Sequence, residues 1–478
     1  MVTKGIIQET LSKVVLAVAG FILNIILARE LGPADYGVVG VVLNIMFVIE
    51  PLLTNGLRQA VSMIVSSQEV NTRKLWRQSI TLQLIFSVVL VAVGLLLLGR
   101  VAVWLNIEEH RNTLYLILAI IPIKGIFFLN LGFLNGQFNY KQHALANSLY
   151  SFFRLIISLV LLYITRNGVL AVLVGTLAAY LLAMFFTRFD WQYPDSTLTI
   201  PNRQLLGLTW GALLFYLLIN IILYIDVLLL RGFGSTEATV GYYKASANIG
   251  SLLYFLFLSV TQVSYPVIAK LFSQQSWQEL KKVANTLFLS VFYTSALAFA
   301  FTFFFAEIFI KLLFGAQYLP AAGVTPWYAL SIGLLSIIIM LGNMMITFEH
   351  KKNYLFILLG SLVLYLLLFL ALYKPLEIYA PPVTIIIISV ITAVLFVAIL
   401  NRHYHSVFDV KNLVKNIGVL LLMTAAAVAL QLLASKVVPP ALSGALIFTA
   451  LALVSFFAVR NVREAVLHSV SILLAKKK

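Results

Sequence analysis

The chain has 478 residues, 62% of them apolar and 10% charged, against roughly 45–50% and about 25% in an ordinary soluble protein. That balance excludes a water-soluble globule. Lys and Arg outnumber Asp and Glu by 33 to 17, a formal charge of +16, and cysteine is absent. Disulfides, zinc ribbons, iron–sulfur clusters and thiol nucleophiles are therefore excluded. The bases sit in short polar breaks between apolar blocks, so anionic headgroups and membrane topology account for them, and no nucleic-acid partner is expected.

A spanning helix needs about 20 mostly apolar residues to cross roughly 30 Å of hydrocarbon, because unpaired backbone groups there cost several kcal/mol. On that rule the sequence predicts fourteen spans. The first eight are Ile6–Leu31, Val38–Ile64, Ser79–Leu98, Thr113–Leu134, Ala146–Thr165, Val169–Phe186, Leu205–Leu230 and Val240–Ile268. The others are Ala284–Ala306, Val324–Phe348, Tyr354–Leu372, Tyr379–Leu400, Asn416–Ala434 and Gly444–Val459. Lys4 and Lys13 ahead of Ala17-Val18-Ala19 imitate a secretory signal, but the apolar run continues to Leu27 and reads as an uncleaved first helix. The stretch 306–326 reads as an outer interfacial helix closed by Gly315, since Phe309 to Phe314 is too short to span.

Both termini and the even-to-odd connections carry 21 Lys and Arg, the other side 8. Both ends are therefore expected in the cytoplasm, as in a multi-pass protein of the cell (inner) membrane. No connection leaves room for a soluble catalytic domain. The six histidines fall in or beside the breaks; His403-x-His405 reads as a solvated loop pair, and Glu108-Glu109 as a solvated acidic pair.

An internal repeat organises the chain. Ile25 to Gly32 followed by Tyr36-Gly37 parallels Val227 to Gly234 followed by Val240-Gly241. In each copy a basic residue, Arg29 or Arg231, stands three positions before a glycine where a helix ends. The plain reading of these bases is capping of the helix C-terminus. An offset of six spans keeps both copies in one orientation, which makes the repeat parallel. The expected architecture is an all-α integral membrane protein of fourteen transmembrane helices. Residues 1–190 and 191–404 form two six-helix bundles around a central cavity, and 405–478 hold two additional helices and a basic tail. That is the layout of an alternating-access carrier.

Beyond the first span, which carries Glu9, Lys13, Arg29 and Glu30 toward its ends, six ionisable residues fall inside predicted spans: Glu50, Arg58, Lys124, Arg154, Asp226 and Lys244. Each is a functional candidate, because a charge at that depth needs a partner or a wet cavity. Glu50, Thr54 and Arg58 lie on one helical line, with Asn55, Gln59 and Ser62 beside it, and Pro51 is expected to kink the helix. Lys124, after Pro122, reaches midplane depth and is placed to pair with Glu50. Arg154 either pairs internally or faces the cavity. Asp226 and Lys244 lie near the same membrane surface, where a salt bridge and a binding role are both open. Asn24 takes in the first repeat the place of Asp226 in the second, which marks Asp226 as the ion-coupling candidate. The others, with Asn24, Asn55 and Gln59, are substrate-binding candidates for an anion.

The run Ala28-Arg29-Glu30-Leu31-Gly32-Pro33-Ala34-Asp35-Tyr36-Gly37 resembles the opening of the oligosaccharide-flippase (polysaccharide transporter, Wzx-type) family, part of the multidrug/oligosaccharidyl-lipid/polysaccharide exporter superfamily. Tyr224 to Leu230 with Val240 to Ala247, and Tyr265 to Ala269, match it again. The resemblance implies transfer of a polyprenyl-(pyro)phosphate-linked oligosaccharide to the outer leaflet through a cavity lined by spans 1, 2, 7 and 8, to which Arg58, Asp226 and Lys244 belong. Lipid-linked oligosaccharide and membrane lipids are then the partners, with a polysaccharide polymerase as a further candidate. No cofactor is expected, and coupling falls to protons, sodium or the membrane potential. Lipid-II flippases of the group carry an arginine-rich first span where this chain has Asn24. The rival readings are a cation-coupled multidrug exporter of the same fold and, further off, a membrane glycan polymerase.

Overall fold

The computed structural model describes residues 2–188, 190–348, 351–404, 407–435 and 438–458. His350, His405, His468 and the basic tail lie outside the described residues. Every described element is helical. In order they are α1 (Val2–Thr54), α2 (Leu57–Ser67), α3 (Thr72–Trp104), the single turn α4 (Arg111–Leu114), α5 (Leu116–Gly136), α6 (Tyr140–Thr165), α7 (Gly168–Met184) and α8 (Asn202–Gly232). Then follow α9 (Glu237–Ser273), α10 (Trp277–Leu313), α11 (Thr325–Thr347), α12 (Lys351–Leu376), α13 (Ala380–His403), α14 (Val410–Ala434) and α15 (Pro440–Ala458).

Among the described residues nine helical stretches are long and apolar enough to cross a membrane. Two of them, of 57 and 50 residues, have length for two crossings each. With the shorter Gly168–Met184 and Pro440–Ser455 and the 37-residue α9 they accommodate all fourteen predicted spans. The protein is a multi-pass membrane protein.

Contacts divide the chain into two compact units, Met1–Gly241 and Tyr242–Lys478. The sequence repeat alone places a boundary at residue 190; α8 packs on α1 and α2, so the first unit extends through it. In this unit α1 is two helices joined at Gly32, whose φ of 77° turns the chain, and Gly234 at the repeat-related position has φ 102°. Glycine is needed at both, since a side chain disfavours that conformation. Just beyond, two repeat-related glycines allow backbones to touch: a Cβ on Gly37 would lie 2.0 Å from the Glu237 carbonyl oxygen, and one on Gly241 1.9 Å from that of Pro33.

The opposite end of the unit is closed by the linker 188–201. Thr72 N–H and Oγ1 donate to Gln192 O at 3.1 and 3.2 Å, Asn71 Nδ2 donates to Pro194 O, and Gln78 Nε2 donates to Ile200 O at 2.8 Å. Leu57, Val61, Ile64, Leu129, Phe133 and Leu205 build a buried core beneath it.

In the second unit α11 packs between α10 and α13, and α12 lies on α13. The last two helices, α14 and α15, rest on α10 through Ala300, Phe304, Ala427 and Leu451, and Tyr293 Oη donates to Ala452 O at 3.1 Å. The expected interfacial helix is absent from the described stretch 306–326. Phe309 to Leu313 are the last turns of α10, Gly315 with φ 101° ends it, and Ala316–Gly323 is a 3-10 turn whose Tyr318 is fully buried. Ser246 Oγ donates to Ala321 O at 2.8 Å and ties the turn to α9, while Leu312 and Leu319 keep exposed side chains and Phe314 and Tyr318 are buried.

Candidate functional site

The first unit concentrates ionisable groups in its interior. Lys124 on α5 reaches the end of α1, where its Nζ lies 2.8 Å from Glu50 Oε2; the two side chains are 5% and 33% exposed. This is the pairing the sequence predicts. It answers the cost of carrying an ammonium in a span, because a buried charge is tolerated only with a partner. Tyr150 on α6 and Tyr180 on α7 stack at 4.2 Å.

Arg154, half-buried on α6, has no hydrogen bond or ion pair among the described residues, and its Nε is fully enclosed. With Ser151 and Leu155 it lines a cavity of about 10 Å³ against Leu16, Ala19, Gly20 and Leu23 of α1, room for about one water molecule. A Cβ on Gly20 would meet nothing within 4 Å, so this flank of α1 is open. One turn further, Asn24 Nδ2 donates to Gly20 O at 2.8 Å and Tyr36 Oη donates to Asn24 Oδ1 at 3.2 Å. Asn24 therefore ties the two halves of α1 across the Gly32 turn.

Helix α1 keeps helical geometry over Pro51 to Thr54, and the break falls at Asn55 and Gly56. Pro51 does not end the helix: Asn55 N–H still reaches Pro51 O at 3.1 Å, and the helix stops where Gly56 starts α2. The break also ends the expected unbroken polar line of Glu50, Thr54 and Arg58. Arg58 stands in the first turn of α2, with Nη2 3.3 Å from His143 Nε2 and its guanidinium 5.5 Å from the Phe128 ring centre. Asn55 is half-buried in the break itself, and Gln59 is exposed.

Asp226 on α8 is 2% exposed. Its Oδ1 accepts from its neighbour Val227 N–H at 2.8 Å and from Asn44 Nδ2 of α1 at 3.4 Å, and the same Asn44 group donates to Tyr224 O at 2.8 Å. Arg231 reaches past the end of α8 instead of capping its carbonyls: it donates to Ser235 O at 3.0 Å, to Asn106 O at 2.7 Å and to Glu237 Oε1 at 2.7 Å. Its repeat counterpart Arg29 is exposed. Lys244 belongs to the second unit, buried on α9 next to Tyr243, whose ring meets Tyr328 edge-on at 5.6 Å.

Sequence reasoning missed Asn44, His143, Phe128 and Tyr36. Asn44 had a signal, since the 204-residue offset of the repeat pairs it with Asn248. His143 and Phe128 had none, because only packing brings α5 and α6 against Arg58.

The family of polysaccharide biosynthesis proteins matches the chain over residues 26–323. The chain belongs to that family. No curated protein matches it. Among solved structures, lipid II flippase MurJ in an inward closed conformation is similar at TM-score 0.70 and 13% identity, covering 95% of this chain and 99% of that one. An inward-facing multidrug resistance MATE family transporter of the MOP superfamily is similar at TM-score 0.70 and 17% identity over 82% of this chain and 95% of that one. A MOP superfamily transporter from Pyrococcus furiosus, described as having reversed polarity in its binding pocket, follows at TM-score 0.64 and 16% identity, over 85% and 96%. The chain is thus a polysaccharide biosynthesis protein with the fold of these membrane transporters.

Proposed function

We propose that the protein moves a polyprenyl-(pyro)phosphate-linked oligosaccharide from the cytoplasmic to the outer leaflet of the cell membrane, by alternating access and for surface polysaccharide. Both termini face the cytoplasm in this reading, in line with the excess of Lys and Arg on that side. The observation that carries the substrate class is Arg154, a guanidinium in the middle of a predicted span with no carboxylate partner among the described residues. Lys124, by contrast, is matched by Glu50. A cation kept uncompensated at this depth is costly and favours an anionic ligand, and a phosphate accepts several guanidinium hydrogen bonds at once. The 10 Å³ beside Arg154 is far too small for a headgroup, so Arg154 meets the phosphate in another state of the transport cycle. Asp226, held by Asn44, is the candidate for ion coupling.

The test is flipping of a fluorescent polyprenyl-pyrophosphate-linked oligosaccharide in proteoliposomes. Arg154→Ala is expected to lower the rate at least tenfold and Arg154→Lys to restore part of it, with the purified amount of protein unchanged. Unaltered flipping by Arg154→Ala sinks the phosphate reading. The second reading, a cation-coupled multidrug exporter, is favoured by the one-third-exposed Glu50 carboxylate. Export of an organic cation in the same vesicles, abolished by Glu50→Gln and indifferent to Arg154→Ala, would select it.

A further inference from the structure

Ser79, Gln83 and Ser87 stand at i, i+4 and i+8 on α3, and each is at most 3% exposed. The outward side of the helix middle is apolar and exposed, with Val88 at 67% and Leu96 at 75%. The polar line faces α5. Trp76 Nε1 donates to Asn130 Oδ1 at 3.0 Å, a Cβ on Gly125 would lie 2.4 Å from Gln83 Nε2, and one on Gly94 2.4 Å from Leu118 Cδ2. These contacts fix an antiparallel register in which Gln83 lies against the residue after Lys124 and Ser87 is level with Pro122.

Ser79 Oγ, Gln83 Nε2 and Ser87 Oγ have no hydrogen-bond partner among the described residues. Buried hydroxyls on other helices divide: those of Ser151, Ser295, Thr302 and Ser336 donate to the carbonyl one turn back, whereas those of Ser158, Thr176, Thr384 and Ser389 also lack a partner among the described residues, so what distinguishes α3 is three such groups in one line. The same interface holds a backbone acceptor without a helical donor, because Pro122 has no N–H to offer the Leu118 carbonyl. At one end the line meets a satisfied polar group, where Asn130 Nδ2 donates to Thr187 Oγ1 at 3.1 Å. Three donor-bearing groups and one acceptor buried in one seam are uncommon, since buried polar groups are paired in native interiors, with ordered water where protein atoms do not serve.

We propose that the α3–α5 seam is a binding site for a short file of water molecules, running from the Trp76–Asn130–Thr187 group past Ser79 and Gln83 to Lys124, and on to Ser87. Ser79 and Gln83 hold the approach to the ion pair. Ser87 and the Leu118 carbonyl hold its far end. The file brings water to the buried Lys124 end of the pair from inside the bundle, the Glu50 end being already one-third exposed. It does not depend on which substrate the protein carries.

The absence of cysteine gives a silent background for the test. Ser79→Cys, Gln83→Cys and Ser87→Cys are made singly in the full chain, with Val88→Cys and Ser336→Cys as lipid-side and dry-interior controls. Each reconstituted variant is exposed to Ag⁺, a cation small enough to follow water, then quenched, denatured and labelled with a fluorescent maleimide. Ag⁺ is expected to reduce later labelling at least fivefold at positions 79, 83 and 87 and less than twofold in the controls. Protection at 79 and 83 no greater than in Ser336→Cys overturns the proposal. A measurement on the unaltered protein guards against misfolded variants. Hydroxyl radicals generated from bound water by a brief X-ray pulse are expected to oxidise Ile117, Ile120 and Ile121 of α5 several-fold faster than the equally buried Ile332, Ile337 and Ile338 of α11, and equal rates also overturn it.

Discussion

Lys124 Nζ and Glu50 Oε2 meet at 2.8 Å between α5 and the end of α1. Removing one partner from a buried pair costs about 3–5 kcal/mol, and the one-third exposure of Glu50 puts this case toward the lower end. Lys124→Met is expected to lower the unfolding midpoint in detergent more than the double variant Glu50→Gln/Lys124→Met. Equal midpoints would show that the pair carries no coupling.

Asn44 Nδ2 is shared between Tyr224 O and Asp226 Oδ1. Asn44→Leu leaves a buried carboxylate short of a donor, a loss of about 1–3 kcal/mol. Asn44→Asp adds a like charge and is expected to be worse. Thermal unfolding should rank them wild type, Asn44→Leu, Asn44→Asp, with transport falling in the same order.

Backbone touches backbone at Gly37 and Gly241, while the flank of Gly20 is open. Gly37→Ala and Gly241→Ala must push apart Glu237 and Pro33 carbonyls, so a loss of about 1–3 kcal/mol is expected, as for other overpacked sites. Gly20→Ala in a helix interior is expected to be neutral or to gain up to about 1 kcal/mol. Melting temperatures of the three variants check the contrast.

Asn71 does two things at once: its Oδ1 caps α3 by accepting from Lys74 N–H at 3.0 Å, and its Nδ2 holds the linker through Pro194 O. Asn71→Ala is expected to lose about 1 kcal/mol from the cap alone. It should also speed proteolysis within 188–201, measured by limited digestion. Asn71→Asp keeps the cap acceptor but not the donor, so it should raise cleavage with less loss of stability.

The sequence by itself determined the helical membrane class, the places of the spans and the parallel repeat, because a span must be apolar for about 20 residues whatever it packs against. It also reached the two glycines with positive φ at 32 and 234, which only the local backbone dictates, and the pairing of Lys124 with Glu50, which the scarcity of intramembrane charge leaves little choice about. The tertiary structure alone decided where α1 breaks beyond Pro51, that Phe309 to Leu313 continue α10, and that Arg58 turns to His143 and Phe128. It alone decided that Ser79, Gln83 and Ser87 share one buried seam. Those outcomes depend on which helices become neighbours, and a helix in lipid has no solvent-facing polar stripe to announce its inner face.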